Sequence, residues 1–276
     1  MHPTIISLGP IAIRSYGLML ALGFMTGIMF AAWRAKKWGE NPDHIYNLAV
    51  YIVISALLGA RIYYIVTHYI EFSEPGLAGF SRFFAEFRNM FWPIGADGQV
   101  GINGLVLYGG IICATLTTVA YLKLHGLKIA RYLDIMGPSL GLGEFFTRIG
   151  CFLNGCCFGK PTESAFGVVF PFDSAAGSYY PGLHIHPAQL YNSFGGLAIF
   201  GLLLLLERWR KFDGFTAAMY FILYAVVRFT TDFTRHYEQK LTYYGLSHNQ
   251  WLSVAIFICA AAVLLYLSRR SKTTLS

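Results

Sequence analysis

Residues 141–162 read GLGEFFTRIGCFLNGCCFGKPT. An arginine, a lysine, an asparagine and three cysteines stand here among glycines and phenylalanines, in a chain that is otherwise oily. The 276 residues are 55% hydrophobic and only 13% charged, with a mean hydropathy of +0.50. Soluble domains carry about a quarter charged residues. This chain lacks the charge to cover a soluble core, so most of its surface is expected to face lipid. Its opening residues lack a basic n-region and a small-residue cleavage site after an early apolar run, so no cleaved leader is expected.

The net charge of +7 raises the question of nucleic acid, and the placement of the bases answers it. Twelve of the 21 Lys and Arg fall in four short clusters. These are Arg34, Lys36 and Lys37; Lys123, Lys128 and Arg131; Arg208, Arg210 and Lys211; and Arg269, Arg270 and Lys272. Each cluster ends or joins an apolar segment, as in the cytoplasmic loops of a membrane protein. A nucleic-acid surface would gather its bases on one face or helix. No nucleic-acid partner is expected.

Spanning hydrocarbon takes about 20 mostly apolar residues. Seven segments qualify, at roughly 16–33, 47–69, 104–123, 132–151, 187–206, 214–232 and 249–268. The second, fourth and sixth are weaker, each holding polar residues or glycines. The expected fold is an all-α integral membrane protein, one domain over 1–276, with about seven transmembrane helices. With the basic clusters inside, the N-terminus lies outside and the C-terminus inside. Two segments then fall on the outer face. Residues 70–103 mix aromatics and charges at helix-like spacing and read as an interfacial helix. Residues 152–186, rich in Gly and Pro, read as a small outer cap with a short strand in GVVFPFD.

Arg61, Arg148 and Arg228 fall inside or at the edge of predicted spans. A mid-span arginine costs about 2.5–3.5 kcal/mol on insertion scales, so it faces a polar cavity or a partner. Snorkelling, or pairing with Glu144 or Asp232, explains a single such residue. Three on three spans suggest a shared cavity. The planar guanidinium fork suits a phosphate, and a phosphate ester at membrane depth is a lipid headgroup. Cys113 and Cys259 lie in apolar runs and read as packing residues. Cys151, Cys156 and Cys157 cluster at the outer end of the fourth span. Their C-x4-C-C spacing fits no usual zinc pair, so no metal is expected. A disulfide, a redox role and simple packing remain open.

The motifs resemble those of the prolipoprotein diacylglyceryl transferases of bacterial inner membranes. The resemblance runs in order through SLGPIAIRSYGLMLALGF at 7–24, GARIYY at 59–64, the 141–161 stretch, HPAQLY at 186–191, RFTTDFTR at 228–235 and GLSHNQWLS at 245–253. It implies a multi-pass inner-membrane enzyme that moves a diacylglyceryl group from phosphatidylglycerol to the lipobox cysteine thiol of a prolipoprotein signal peptide. The partners are then phosphatidylglycerol, prolipoprotein signal peptides and membrane lipid, with no cofactor. By motif position Arg148 and Arg228 take the family's essential arginine roles, Tyr16 a tyrosine role and Gly159 a backbone position. Arg61, Asn154, His186, Gln189 and Arg235 are further expected substrate-binding residues, with Lys160 binding phosphate or ordering the cap. His186 before Pro187 also reads as a cap of the fifth span.

Three positions depart from the family pattern. Tyr108 in LYGGI stands where the family carries a histidine thought to act as base, and it is the third catalytic candidate. Cys151 replaces an asparagine and Cys156 an acid. A related transferase with another acceptor, or a non-catalytic lipid or signal-peptide binder, is the alternative.

Overall fold

A computed structural model describes residues 4–8, 11–72, 79–91, 104–237 and 242–273. The short strands β1 (Thr4–Leu8) and β2 (Ile11–Arg14) come first, followed by α1 (Ser15–Lys37) and α2 (Asp43–Thr67). Next come α3 (Tyr69–Phe72), α4 (Gly79–Phe91), α5 (Leu107–Leu124) and α6 (Ile129–Asn154). The strand β3 (Val168–Val169), α7 (Ala175–Tyr179) and β4 (His184–Ile185) precede α8 (Ala188–Leu206) and α9 (Phe215–Asp232). Strands β5 (Thr242–Tyr243) and β6 (Leu246–Ser247) then lead into α10 (His248–Thr273).

Seven of these helices coincide with the seven expected apolar segments, so the fold is that of an all-α membrane protein. Five are long and apolar enough to cross a membrane, namely α1, α2, α5, α8 with the turn after it, and α10. The second segment, expected to be weak, is one of the five. Its polar residues are too few to offset the apolar run. The remaining two, α6 and α9, hold the charged residues discussed below.

The described residues cluster into two compact units. The smaller contains Ser7–Ala12 and Asp43–Ile129. Its centre is the pair α2 and α5, which approach where side chains are smallest. A Cβ on Gly59 would stand 2.5 Å from the Gly109 carbonyl oxygen and from Cys113 Sγ. Small residues at such crossings are how membrane helices gain contact without a hydrophobic drive between them. In α4, Phe80, Phe84 and Phe87 are exposed while Glu86 is buried and accepts from the Tyr69 hydroxyl at 3.1 Å. The rest of the expected interfacial segment, 73–78 and 92–103, lies outside the described residues.

The larger unit contains Met1–Ile6, Ile13–Pro42 and Ala130–Ser276. Here α6 and α8 cross at glycines: a Cβ on either Gly141 or Gly196 would stand 2.8 Å from the other's carbonyl oxygen. Ile199, Leu203 and Tyr220 form the α8–α9 core. Near one end Arg34 is buried, although the sequence groups it with loop bases. Its Nε donates to the Ile135 carbonyl at 2.9 Å and its Nη1 pairs with Glu207 at 2.6 Å. There too Asp134 accepts from the Gly214 and Ala217 amides at 2.8 Å each, capping α9.

At the opposite end the chain leaves α6 after Asn154 and folds into a small unit of short elements. It holds the β3–β4 pair and α7 around Phe170, Ala176 and Ile185. The expected strand in 167–173 is confined to Val168 and Val169. The start of α10 carries the sequence SHNQ. The Ser247 hydroxyl accepts from the Gln250 amide at 3.1 Å, and the Gln250 side chain accepts from the Ser247 amide at 2.9 Å. This is a capping box.

Candidate active site

Helix polarity gathers the chemistry of the larger unit at one end. Helices α6 and α9 finish there, while α1, α8 and α10 begin there. Arg148, in the last turns of α6, binds Glu144 one turn back, with Nε donating to Oε1 at 2.7 Å. Arg228 on α9 lies 3.7 Å from Asp232, also one turn away. Both acids are those the sequence offered as partners. Asp232 is itself held by the hydroxyls of Tyr237 and Ser247, which both donate to it. Arg228 Nη2 reaches the Tyr237 oxygen at 3.5 Å, and its Nη1 is buried with no hydrogen-bond partner among the described residues. Arg235 lies over the Tyr237 ring at 5.6 Å and forms no ion pair among the described residues. Arg148, Arg228 and Arg235 all lie within electrostatic reach of Tyr224. Burial and the bond to Asp232 push the Tyr237 phenol up, so it stays protonated and donates.

The three thiols belong to this end. Their Sγ atoms all lie within 4.8 Å of one another, and none is in a disulfide. The chain brings them together by two left-handed residues, Gly155 at φ 71° and Cys157 at φ 61°. Glycine takes this conformation freely, whereas a cysteine is held in it by its surroundings. The Gln189 amide fixes the loop, donating to the Cys156 carbonyl at 2.7 Å, and Asn154 hydrogen-bonds the Cys156 thiol. Hydrogen bonds from Cys151 and Cys156, helped by Arg235 and Arg148, hold the Cys157 thiol below the usual thiol range. Tyr16, at the head of α1, lies within electrostatic reach of the thiols and Arg148.

Gly159 sits where three segments meet. A Cβ there would stand 2.5 Å from the His186 carbonyl oxygen and 2.7 Å from that of Thr234. Lys160 orders the cap, its Nζ donating to the Phe233 carbonyl at 2.8 Å. His186 does not cap α8. Pro187 is the N-cap residue, and the His186 ring is instead 3.1 Å from the Tyr191 hydroxyl. Proline has no N–H to satisfy, so the helix loses nothing by starting after it.

Two candidates belong to the smaller unit. Arg61 Nε donates to the Met90 carbonyl at 2.8 Å and its Nη1 to that of Gly104 at 3.3 Å. Its guanidinium also lies over the Tyr64 and Phe72 rings. Tyr108 opens α5 and is 51% exposed. The glycine pair after it serves the α2 crossing. Sequence reasoning missed Tyr237, Ser247 and Tyr224. The SHNQ box signalled Ser247; the other two are tyrosines among many.

A family model described as prolipoprotein diacylglyceryl transferase matches residues 3–266. The chain belongs to that family. The family includes the phosphatidylglycerol–prolipoprotein diacylglyceryl transferase of Clostridium tetani (strain Massachusetts / E88), 33% identical over 258 residues, or 94% of each chain. The enzyme numbered 2 of Clostridium perfringens (strain 13 / Type A) is 32% identical over 255 residues, covering 92% of this chain and 90% of its own. That of Campylobacter lari (strain RM2100 / D67 / ATCC BAA-1060) is 30% identical over 266 residues, covering 93% and 90%.

Proposed function

We propose that the chain is a transferase moving the diacylglyceryl group of phosphatidylglycerol to the lipobox cysteine thiol of a prolipoprotein. The Arg148 end of the larger unit is its site. One observation carries the placement. Three guanidiniums gather there against two paired acids, and Arg228 keeps a buried N–H that has no hydrogen-bond partner among the described residues. A buried donor left unmade is costly, and a phosphate oxygen is the acceptor that satisfies it.

In this reading the acceptor thiol loses its proton, and its sulfur attacks the glyceryl carbon bonded to the phosphate oxygen. A C–S bond forms and the C–O bond breaks. The electron pair stays on the departing glycerol phosphate, which takes up the proton. Arg148 and Arg228 stabilise the charge growing on that phosphate, with Arg235 alongside. Tyr16, Asn154, Gly159, His186 and Gln189 shape the surrounding pocket and loop. Arg61 and Tyr108 are the further residues this reading assigns to the reaction. A mostly apolar groove between α9 and α10, lined by Ala225, Val226, Phe229, Thr230, Ser253, Val254 and Phe257, suits an acyl chain.

The same reading takes all seven long helices as spans of a single domain in a bacterial inner membrane. The N-terminus is outside, the C-terminus inside, and the cap and α4 are on the outer face. The basic clusters at the far end of the larger unit support this orientation.

The test is transfer in liposomes. Purified protein, phosphatidylglycerol and a lipobox peptide should give a diacylglyceryl mass gain that a Cys→Ser peptide does not. Arg148→Ala should abolish it while the protein stays folded. Full activity in that variant overturns the site. The tyrosine at 108 favours one second reading, a transferase with another acceptor. It predicts lipid turnover without gain on the peptide.

A further inference from the structure

Three sulfurs converge where the reaction needs a thiolate. Spacing along the chain argued against a metal, but spacing in space reverses that argument. Cys151 comes from the last turn of α6, and Cys156 and Cys157 from the loop that reverses after it. All three Sγ atoms lie within 4.8 Å of one another. On a tetrahedral zinc ion with Zn–S bonds of about 2.3 Å, three sulfurs sit about 3.8 Å apart. The observed cluster is therefore within about 1 Å of a zinc-binding geometry.

Two simpler explanations account for less. A disulfide joins two thiols and leaves the third unused. Packing alone does not require adjacent cysteines to face one point, since neighbouring side chains in an extended chain point apart. Here the left-handed backbone at Cys157 is what lets both sulfurs turn toward Cys151, and such strained residues gather at functional sites. The loop is also anchored, by the Gln189 amide on the Cys156 carbonyl.

We propose that Cys151, Cys156 and Cys157 form a three-thiolate zinc site whose open fourth position takes the acceptor thiol. Three thiolates on Zn2+ carry one negative charge, and Arg235, which lacks an ion-pair partner among the described residues, lies within reach of Cys157 to offset it. Three protein ligands with one open position is the arrangement of catalytic zinc. A thiol that coordinates such an ion is deprotonated outright. The metal is neither oxidised nor reduced. The acceptor thiol gives up its proton on binding, its sulfur forms the C–S bond, and the proton passes to the released glycerol phosphate. The site supplies the thiolate without a separate side-chain base. This inference rests on the transfer reading for the identity of the acceptor.

The experiment uses the full chain in lipid nanodiscs, loaded with zinc and then washed. Elemental analysis should find one zinc per chain in the wild type and in Cys113→Ser. The triple variant Cys151→Ser, Cys156→Ser, Cys157→Ser should hold less than a tenth of that. Because the triple variant could misfold, Cys156→Asp and Cys156→Ala are measured as well. The carboxylate should retain zinc more weakly and the alanine should lose it. Cobalt-loaded wild type should show thiolate-to-metal absorption that changes with a cysteine lipobox peptide and not with its serine form. Zinc no higher in the wild type than in the triple variant overturns the site, as does a disulfide among these cysteines in the purified protein. An unchanged cobalt spectrum overturns the acceptor role. Full transfer by zinc-stripped protein sinks this inference and leaves the transfer reading standing. Zinc binding and a peptide response without transfer from phosphatidylglycerol sink the transfer reading and leave the site.

Discussion

At the Arg34 end of the larger unit, Arg34, Arg131 and Arg210 meet Glu207, Glu40, Asp134 and Asp213. At the Arg148 end, Arg148, Arg228 and Arg235 meet only Glu144 and Asp232. Both ends bury guanidiniums between helices, and both draw on residues distant in sequence. In the first set Arg34 fills its donors on two carbonyls and a carboxylate, and although Arg131 Nε and Arg210 Nε make no hydrogen bond among the described residues, each still faces a carboxylate, on Glu40 and Asp134. In the second, with fewer acids, Arg228 Nη1 makes no hydrogen bond among the described residues. A network rich in acids holds helices together, and one with fewer holds them together and also attracts an anion. The difference lies in the count of acids, not in the kind of residue.

The comparison breaks most sharply through Arg228. Arg228→Ala should lower transfer by about 100- to 1,000-fold, the usual cost of removing one donor to a developing charge. It should do so with little loss of melting temperature. Arg228→Lys should recover only part of the activity, because an ammonium lacks the planar fork. Arg34→Ala should do the reverse. It strands Glu207 and should cost about 3–5 kcal/mol of stability, read by thermal or denaturant unfolding, with activity per folded molecule unchanged. If Arg34→Ala instead abolishes activity in a stable protein, the two ends do not divide the work as described. A milder effect is expected from Gly141→Ala, whose Cβ would press on the Gly196 carbonyl and spread α6 from α8. Overpacking of this kind costs about 1–3 kcal/mol. The smallest is Asn249→Ala, which removes a 2.8 Å bond to the Tyr237 hydroxyl. It should cost about 1 kcal/mol and lower transfer only slightly, through a looser Asp232.

Five of the long helices were legible because an apolar run of membrane length has few other uses. The partners of Arg148 and Arg228 were legible too, since each lies one helical turn away. What lay beyond reach was pairing at a distance. Arg34 reads as one base in a loop cluster because its acid is 173 residues further on. The convergence of the three thiols lay beyond reach too, because the backbone reversal at Gly155 and Cys157 is not encoded in their spacing. His186 reads as a cap because Pro187 follows it, yet the ring is taken by Tyr191.

The Arg34 network also has a timetable. Its guanidinium sits on the first long helix, while its three acceptors, Asp134, Ile135 and Glu207, lie 100, 101 and 173 residues downstream. At a synthesis rate of about 5–20 residues per second, the last of them arrives roughly 10–30 s after Arg34 itself. During that interval the charge must stay at the membrane surface or borrow a lipid headgroup. The buried ion pair is complete only once the turn after α8 delivers the Glu207 carboxylate.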